Sequence, residues 1–247
     1  MTGTESADTG SPREPRGPLI GILGGMGPAA TADFYAELIR RTPATRDQDH
    51  LRVVIWADPT VPDRVGAVLR GTSEPYPAML EGANNLRLLG ATLVAIPCHT
   101  AHVFRRRLAE ESGLTFLDMV QETVDVLAAQ GGGAGAVGLL GTRATLHSRL
   151  YQDGCAAAGI PTITPDEVAQ RRVDESIRQV KQGRPAAAGT ELAAALRRLA
   201  DAGASTVVLA CTELPLALKA IRDDERPAVL NPTDILADAV IRECSRM

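Results

Sequence analysis

Residues 90–98 read Gly-Ala-Thr-Leu-Val-Ala-Ile-Pro-Cys, and residues 203–211 read Gly-Ala-Ser-Thr-Val-Val-Leu-Ala-Cys. The two stretches share a Gly-Ala start, an apolar run and a terminal cysteine, at a constant separation of 113 residues. Residues 21–24 and 138–141 match in a similar way, 117 residues apart. Weak self-similarity of this kind predicts two related lobes, each near the smallest size of a domain.

Short apolar runs alternate with helical patterns around these stretches, which is typical of α/β architecture with mainly parallel sheets. In the first half the predicted strands are 19–23, 52–56 and 92–96, and the predicted helices are 30–41, 77–89 and a basic helix through 107. In the second half the strands are 136–140, 160–163 and 206–209, and the helices are 146–158, 165–181 and 186–202. We therefore expect two similar lobes, each a parallel sheet flanked by helices, related by a pseudo-two-fold axis.

Each repeated stretch ends in a cysteine, Cys98 or Cys211. Ligands of open α/β sheets bind beyond the carboxyl ends of the strands, so the two thiols are expected to meet across one cleft between the lobes. The opposing interpretation is that both are inert buried cysteines. The equivalent positions in the two lobes favour the paired arrangement.

Two matched thiols suit the inversion of a carbon centre, because each group serves as base in one direction and as acid in the other. Both cysteines stand where a helix is predicted to begin, and backbone N–H groups at such a terminus favour thiolate. Thr100, Thr142 and Thr212 are candidate donors to a developing carbanion. Arg64 and Lys181 are candidate cations for a second, distal anion on the substrate.

The composition argues against several classes of function. A net charge of −4 argues against the basic surface that binding of nucleic acid usually needs. No run approaches the roughly 18 apolar residues of a membrane span, and residues 1–17 lack an apolar signal core, which predicts a disordered tail on a cytoplasmic protein. The four cysteines stand far apart, so a disulfide framework or a zinc ribbon is disfavoured.

Five motifs together resemble the aspartate/glutamate racemase family, a cofactor-independent group whose relatives act on hydantoins, maleate and arylmalonates. The motifs are Gly24-Gly25-Met26-Gly27-Pro28, Pro62-Asp63-Arg64, Pro97-Cys98-His99-Thr100-Ala101-His102, Val180-Lys181-Gln182-Gly183 and Cys211-Thr212-Glu213. The likeness runs from about Pro18 to the C-terminus and is greatest to aspartate racemases.

The resemblance implies that Cys98 and Cys211 are the catalytic bases and that Arg64 and Lys181 bind the side-chain carboxylate of an acidic amino acid. It also implies a homodimer that needs neither pyridoxal phosphate nor a metal. The substrate-binding set expected from it and from the residues above is completed by Gly25, Met26, His99, Thr100, Thr142, Thr212 and Glu213.

The same resemblance divides the chain into a tail (1–17), a first lobe (18–120 plus 225–247) and a second lobe (121–224). The last helix, predicted at 232–244, crosses back to pack on the first lobe, as it does in the family.

His99 is the main departure from the family pattern, which usually has Asn at this position. One interpretation is that a charged imidazole raises the thiolate content of Cys98 or that the larger ring reshapes the pocket. The other is that His99 replaces Asn simply as a hydrogen-bond donor. Asp58 also stands where relatives often have Asn, so the identity of the substrate stays open.

Several alternatives remain. The same fold serves isomerases and decarboxylases of dicarboxylic acids, racemases of non-standard amino acids, and in principle a silent dicarboxylate-binding protein. Gly25-Met26-Gly27-Pro28-Ala29-Ala30 loosely matches a dinucleotide-binding turn, although strand two lacks a clean acidic end. A pyridoxal-phosphate enzyme would need Lys181 or Lys219, and neither lies beside a phosphate loop.

Overall fold

Two parallel sheets of four strands each form the centre of the computed structural model, which describes residues 17–130, 135–222 and 227–247. The first sheet has the order β2-β1-β3-β4 and the second has the order β6-β5-β7-β8. The strands are β1 (Leu19–Gly24), β2 (Arg52–Ala57), β3 (Leu93–Ala95), β4 (Thr115–Phe116), β5 (Ala136–Gly141), β6 (Thr162–Ile163), β7 (Ala204–Ala210) and β8 (Val229–Leu230). The equivalent strand orders confirm the two similar lobes predicted from the repeat. All but the last residue of the predicted 1–17 tail lie outside the described residues.

Helices pack on the faces of both sheets. They are α1 (Pro28–Arg41), α2 (Arg64–Arg70), α3 (Tyr76–Leu88), α4 (Arg105–Ser112), α5 (Met119–Ala129), α6 (Arg143–His147), α7 (Leu150–Ala157), α8 (Glu167–Lys181), α9 (Pro185–Asp201), α10 (Leu214–Leu218) and α11 (Pro232–Cys244). The turns Asp47–Asp49 and Thr100–Phe104 are 3₁₀ helices. No helix in the described ranges is both long and apolar enough to cross a membrane.

The central strands β1, β3, β5 and β7 are almost entirely buried, as expected for parallel sheets covered on both faces. In the first lobe one face of the sheet packs on α3 and α4, and the other packs on α1 and α11. Leu236 and Val240 of α11 share a core with Ile20 and Phe34. β8 belongs to the second sheet, so the chain returns to the first lobe just after it. The exact lobe boundaries stay a prediction.

Local hydrogen bonds explain where several helices begin. The carboxylate of Asp63 accepts from the backbone N–H groups of Val65 and Gly66, which caps α2 directly before Arg64. The hydroxyl of Thr142 accepts from the N–H of Thr145 and caps α6. Both caps lie at the cleft, so they hold candidate site residues at the first turns of these helices.

The structure differs from the predicted elements in two ways. The helix predicted at 146–158 is divided into α6 and α7, because Arg149 adopts a left-handed backbone conformation with φ 57°. The basic helix begins as the 3₁₀ turn Thr100–Phe104 before α4. Elements that the patterns did not predict are α2, α5, α10, β4 and β8.

Gly25 meets a strict steric requirement at the end of β1. Its φ is +88°, and a Cβ at this position would lie 2.4 Å from backbone atoms of Asp58. The Gly-rich turn is therefore explained by the close approach of two loops after neighbouring strands.

We predict that Gly25→Ala lowers the free energy of unfolding by about 3 kcal/mol, because a backbone clash adds to the left-handed strain. Gly71→Ala is the matched control, since Gly71 has φ +67° and nothing within 4 Å of its Cβ position. The control is expected to lose about 1 kcal/mol. Urea denaturation measures both losses, and equal losses would contradict the steric explanation.

Candidate active site

A small cleft lies where the carboxyl ends of the two sheets face each other. It is lined by residues of both lobes: Met26, Asp63, Arg64, Val65, Cys98, His99, Thr100, Thr142, Ile177, Lys181, Cys211, Thr212 and Glu213. The structure thus brings together every predicted site residue except Gly25, which supports the loop beneath the cleft. Asp63, Val65 and Ile177 were not predicted.

Cys98 and Cys211 come from opposite lobes and both line this cleft. Cys98 follows β3 and is 7% exposed, and Cys211 follows β7 directly and is 4% exposed. Both are free thiols. Charged groups of the cleft shift the pKa of each thiol.

Backbone N–H groups of Ala101 and Glu213 lower the pKa of Cys98 and Cys211, as expected for the start of a helix, but burial outweighs this effect at both thiols. Burial raises the pKa of the Cys98 thiol above its ordinary value, and burial raises the pKa of Cys211 further. Cys211 lies three residues ahead of α10, a helix of only five residues, and Cys98 precedes a 3₁₀ turn. The desolvation of the sulfur outweighs the small dipoles of these short elements.

The two thiols have opposite electrostatic neighbours. After burial, the largest influence on the pKa of Cys98 is the Arg64 guanidinium, which lowers it. For Cys211 it is the Glu213 carboxylate, which raises the pKa, and the Cys211 Sγ donates to Glu213 Oε2 at 3.1 Å. Ionisation of Cys98 is therefore favoured over ionisation of Cys211.

Three threonine hydroxyls form a cluster between the lobes. Thr100 Oγ1 lies 3.0 Å from Thr142 Oγ1 and 3.1 Å from Thr145 Oγ1, and the latter two oxygens are 2.9 Å apart. Thr145, which lies three residues after Thr142 in the first turn of α6, was not predicted. Thr212 donates to the carbonyl oxygen of Pro97 at 3.2 Å, so it also connects the lobes.

His99 is 2% exposed, and its Nδ1 lies 2.9 Å from the hydroxyl of Tyr151 on α7. Burial holds the pKa of His99 well below its ordinary value, with a smaller contribution from His102. The ring is therefore neutral, and the hypothesis that its charge raises the thiolate content of Cys98 is wrong. Tyr151 was not predicted, because its only signal is a spatial contact across 52 residues.

Both ring nitrogens of His102 make hydrogen bonds to the backbone. Its Nδ1 lies 2.9 Å from the Cys98 carbonyl oxygen, and its Nε2 accepts from the N–H of Met119 at 3.3 Å. Burial lowers its pKa, so the neutral ring can donate at one nitrogen and accept at the other. It ties the turn after Cys98 to α5.

Two cations face the cleft without a carboxylate partner among the described residues. Arg64 donates to the carbonyl oxygens of Val61 and Pro62, at 3.0 and 3.1 Å, and its Nε is buried without a partner. Lys181 ends α8 and makes no ion pair within the described ranges. The other lysine, Lys219, pairs with Asp33 on the surface.

Asp58, the other departure from the family pattern, does not line the cleft. Its carboxylate accepts from the backbone N–H and the hydroxyl of Thr60, at 2.8 and 2.6 Å, and these bonds lower its pKa. Asp58 therefore shapes the loop that carries Arg64. Among the described residues no group of His, Cys, Asp and Glu side chains has a metal-binding arrangement.

The fold and the cleft define a two-lobed α/β enzyme with its candidate site between equivalent lobes. The Asp/Glu/Hydantoin racemase model matches residues 23–240, and the chain belongs to this family of racemases. The family resemblance expected from the sequence motifs is confirmed.

Similar proteins agree with this assignment. The structure of the Picrophilus torridus aspartate racemase is 31% identical, with a TM-score of 0.81, and the match covers 93% of this chain and 95% of that one. The broad specificity amino-acid racemase RacX of Bacillus subtilis is 29% identical over 210 residues, which are 83% of this chain and 90% of RacX. The glutamate racemase of Francisella tularensis, solved with D-glutamate, shares the fold with a TM-score of 0.69 at 14% identity, covering 94% of this chain and 81% of that one.

We predict that Cys98 reacts with iodoacetamide at a lower pH than Cys211, because Arg64 favours its thiolate and Glu213 disfavours that of Cys211. Peptide mapping by mass spectrometry over a pH series measures both midpoints. Glu213→Gln removes a negative charge and is expected to lower the Cys211 midpoint more than the Cys98 midpoint. Alkylation of Cys211 at a lower pH than Cys98 in the unaltered protein would contradict the influences assigned to Arg64 and Glu213.

Proposed function

We propose that the protein is a cofactor-independent racemase of an acidic amino acid, aspartate or glutamate, and that Cys98 and Cys211 are its two acid/base groups. The proposal is carried by one observation: two buried thiols from opposite lobes line one cleft that also contains two cations, Arg64 and Lys181, without a carboxylate partner among the described residues. Membership of the racemase family supports the reaction type.

In the proposed reaction, the thiolate of one cysteine removes the Cα proton and the thiol of the other delivers a proton to the opposite face. The bond from Cα to its hydrogen breaks, its electron pair is held in the carboxylate-stabilised carbanion, and a new bond forms to the proton from the second sulfur. The base ends as a thiol and the acid as a thiolate, so the enzyme emerges ready for the other enantiomer.

The different neighbours of the thiols favour one resting arrangement of protons. Arg64 favours thiolate at Cys98, whereas the hydrogen bond to Glu213 keeps the proton on Cys211. The free enzyme is then ready to act on the enantiomer whose Cα hydrogen points toward Cys98. Turnover in the other direction begins after protons redistribute between the two sulfurs.

The surroundings of the thiols suit a carbanion that needs a dry, polar site. Both sulfurs are nearly excluded from solvent, which strengthens electrostatic interactions within the cleft. Thr100 and Thr142 of the hydroxyl cluster line the same cleft and can turn a proton toward a carboxylate oxygen. Arg64 and Lys181 would hold the side-chain carboxylate.

The same cleft also suits other substrates, which the tests below distinguish. Decarboxylation or isomerisation of a dicarboxylic acid would use the same cations without inverting an amino acid. A non-standard amino acid would use the same pair of thiols. A homodimer and a cytoplasmic location, which the family resemblance implies, are part of the proposal.

We predict that the unaltered protein incorporates solvent deuterium at Cα of L- and D-aspartate or of L- and D-glutamate, as measured by NMR. Cys98→Ala and Cys211→Ala are each expected to reduce racemisation by at least roughly 100-fold, because inversion needs an acid opposite the base. A single remaining thiol can still exchange the hydrogen of the enantiomer that faces it, so opposite enantiomers should retain exchange in the two variants.

Cys244→Ala is the control, since Cys244 is a half-buried thiol on α11 and does not line the cleft. It is expected to keep full activity. If neither aspartate nor glutamate exchanges, the substrate assignment fails. Inversion that persists after removal of either cleft cysteine would overturn the two-thiol mechanism.

We predict that Arg64→Ala and Lys181→Ala each raise the KM for the acidic amino acid by roughly 10- to 100-fold, because a charge-assisted hydrogen bond to a carboxylate is lost. Lys219→Ala is the matched control, as its ammonium group pairs with Asp33 outside the cleft. Steady-state kinetics with the acidic amino acid measure the change. An unchanged KM in both cleft variants would argue against a substrate with a distal carboxylate.

A further inference from the structure

The imidazole of His99 has one nitrogen in use and one without a partner. Nδ1 lies 2.9 Å from the Tyr151 hydroxyl, whereas Nε2 is buried and has no hydrogen-bond partner among the described residues. His99 lines the cleft and Tyr151 does not. Of the two ring nitrogens, Nε2 is therefore the one that lacks a partner, and a buried polar atom of this kind calls for one.

The bond to Tyr151 determines which nitrogen carries the proton. A neutral imidazole has one N–H group and one acceptor nitrogen, and the bond at one nitrogen fixes the state of the other. The phenol is a good O–H donor and the imidazole nitrogen is the stronger acceptor of the two partners. A Tyr151 hydroxyl that donates to Nδ1 places the proton of the ring on Nε2.

We propose that Tyr151 is a positioning residue that fixes neutral His99 as an Nε2–H donor to the α-carboxylate of the substrate. This inference rests on the proposed racemase function. His99 lines the same cleft as Cys98 and is assigned to the α-carboxylate, while the cations Arg64 and Lys181 are assigned to the distal carboxylate. A fixed donor at the α-carboxylate stabilises the negative charge that grows there when the Cα proton leaves.

The two lobes both contribute to this arrangement. His99 belongs to the turn after β3 of the first lobe, and Tyr151 is fully buried in the second-lobe core with Val120, Leu139 and Cys155. Because that core surrounds Tyr151, its hydroxyl has a fixed position from which it orients the imidazole. The donor is therefore aligned before the substrate binds, which favours the transition state.

A double-mutant cycle tests whether Tyr151 acts through His99. Tyr151→Phe keeps the ring and removes the hydroxyl, and it is expected to lower kcat/KM roughly tenfold, with the larger share of the loss in kcat. His99→Asn introduces an amide donor that does not depend on Tyr151. Tyr151→Phe is therefore expected to have less than a twofold effect in the His99→Asn background.

Tyr76→Phe is the matched control, because Tyr76 is a buried tyrosine that donates one hydrogen bond, to the Arg107 carbonyl oxygen, and lies outside the cleft. It is expected to leave kcat/KM unchanged. If Tyr151→Phe costs the same factor in both backgrounds, Tyr151 acts by supporting the core and the positioning role is overturned. A loss confined to KM would likewise contradict donation to the transition state.

A spectroscopic measurement separates this inference from the proposed function. The chain has four histidines, so ¹⁵N-histidine NMR with His99→Asn as the assignment standard identifies the His99 ring. The Nε2–H tautomer is expected in the unaltered protein, with a shift toward a mixture of tautomers in Tyr151→Phe. Saturation with succinate, a dicarboxylate that cannot be racemised, is expected to move the Nε2 resonance.

These signals do not require turnover, so they remain decisive if aspartate and glutamate fail as substrates. The Nδ1–H tautomer in the unaltered protein would overturn the positioning role of Tyr151. Absence of succinate binding, or binding that leaves the Nε2 resonance unmoved, would overturn the assignment of His99 as a carboxylate donor.

Discussion

The site depends on one constraint, which is that all strands of a parallel sheet end at the same edge. In each lobe the first and third strands are neighbours, so the loops after them are brought together at the carboxyl edge. Hydrogen bonds between the lobes, from Thr212 to the Pro97 carbonyl oxygen and between Thr100 and Thr142, join the two edges. Residues separated by more than a hundred positions thereby line one cleft.

Burial in that cleft has two opposing consequences. In the proposed reaction, exclusion of water strengthens the interactions with a developing carbanion, but the same desolvation disfavours the thiolate that would remove the proton. The charged neighbours of the sulfurs shift the two pKa values in opposite directions. Arg64 lowers the pKa of Cys98, which offsets part of the effect of burial, and Glu213 raises the pKa of Cys211 further. The two lobes are thus similar in backbone and different in the electrostatics of their thiols.

The fold and most of the residues that line the candidate cleft could be predicted from sequence. The alternating apolar runs indicate where strands end, the repeat pairs the two cysteines, and the motifs point to the other residues. The interruption of the helix at Arg149 could not, since a left-handed arginine has no characteristic pattern. Short strands such as β4 and β8 contain two residues each and are formed only by pairing in the sheet. The contact of Tyr151 with His99 depends on packing between the lobes, and the burial that raises the pKa of Cys211 depends on tertiary packing, and neither can be read from neighbouring residues in the sequence.

A site with unequal thiols is compatible with the racemisation of equal enantiomers. The two enantiomers have the same free energy in water, so their equilibrium constant is one, and the ratio of kcat/KM for the two directions must equal it. Arg64 and Glu213 therefore cannot favour one direction overall. In the proposed mechanism, stabilising the form with Cys98 as thiolate would lower the KM for one enantiomer, and the same stabilisation would lower the kcat of that direction in proportion. The difference between the lobes determines which thiol carries the proton in the free enzyme. The equal free energies of the two enantiomers in water determine the final ratio of the enantiomers.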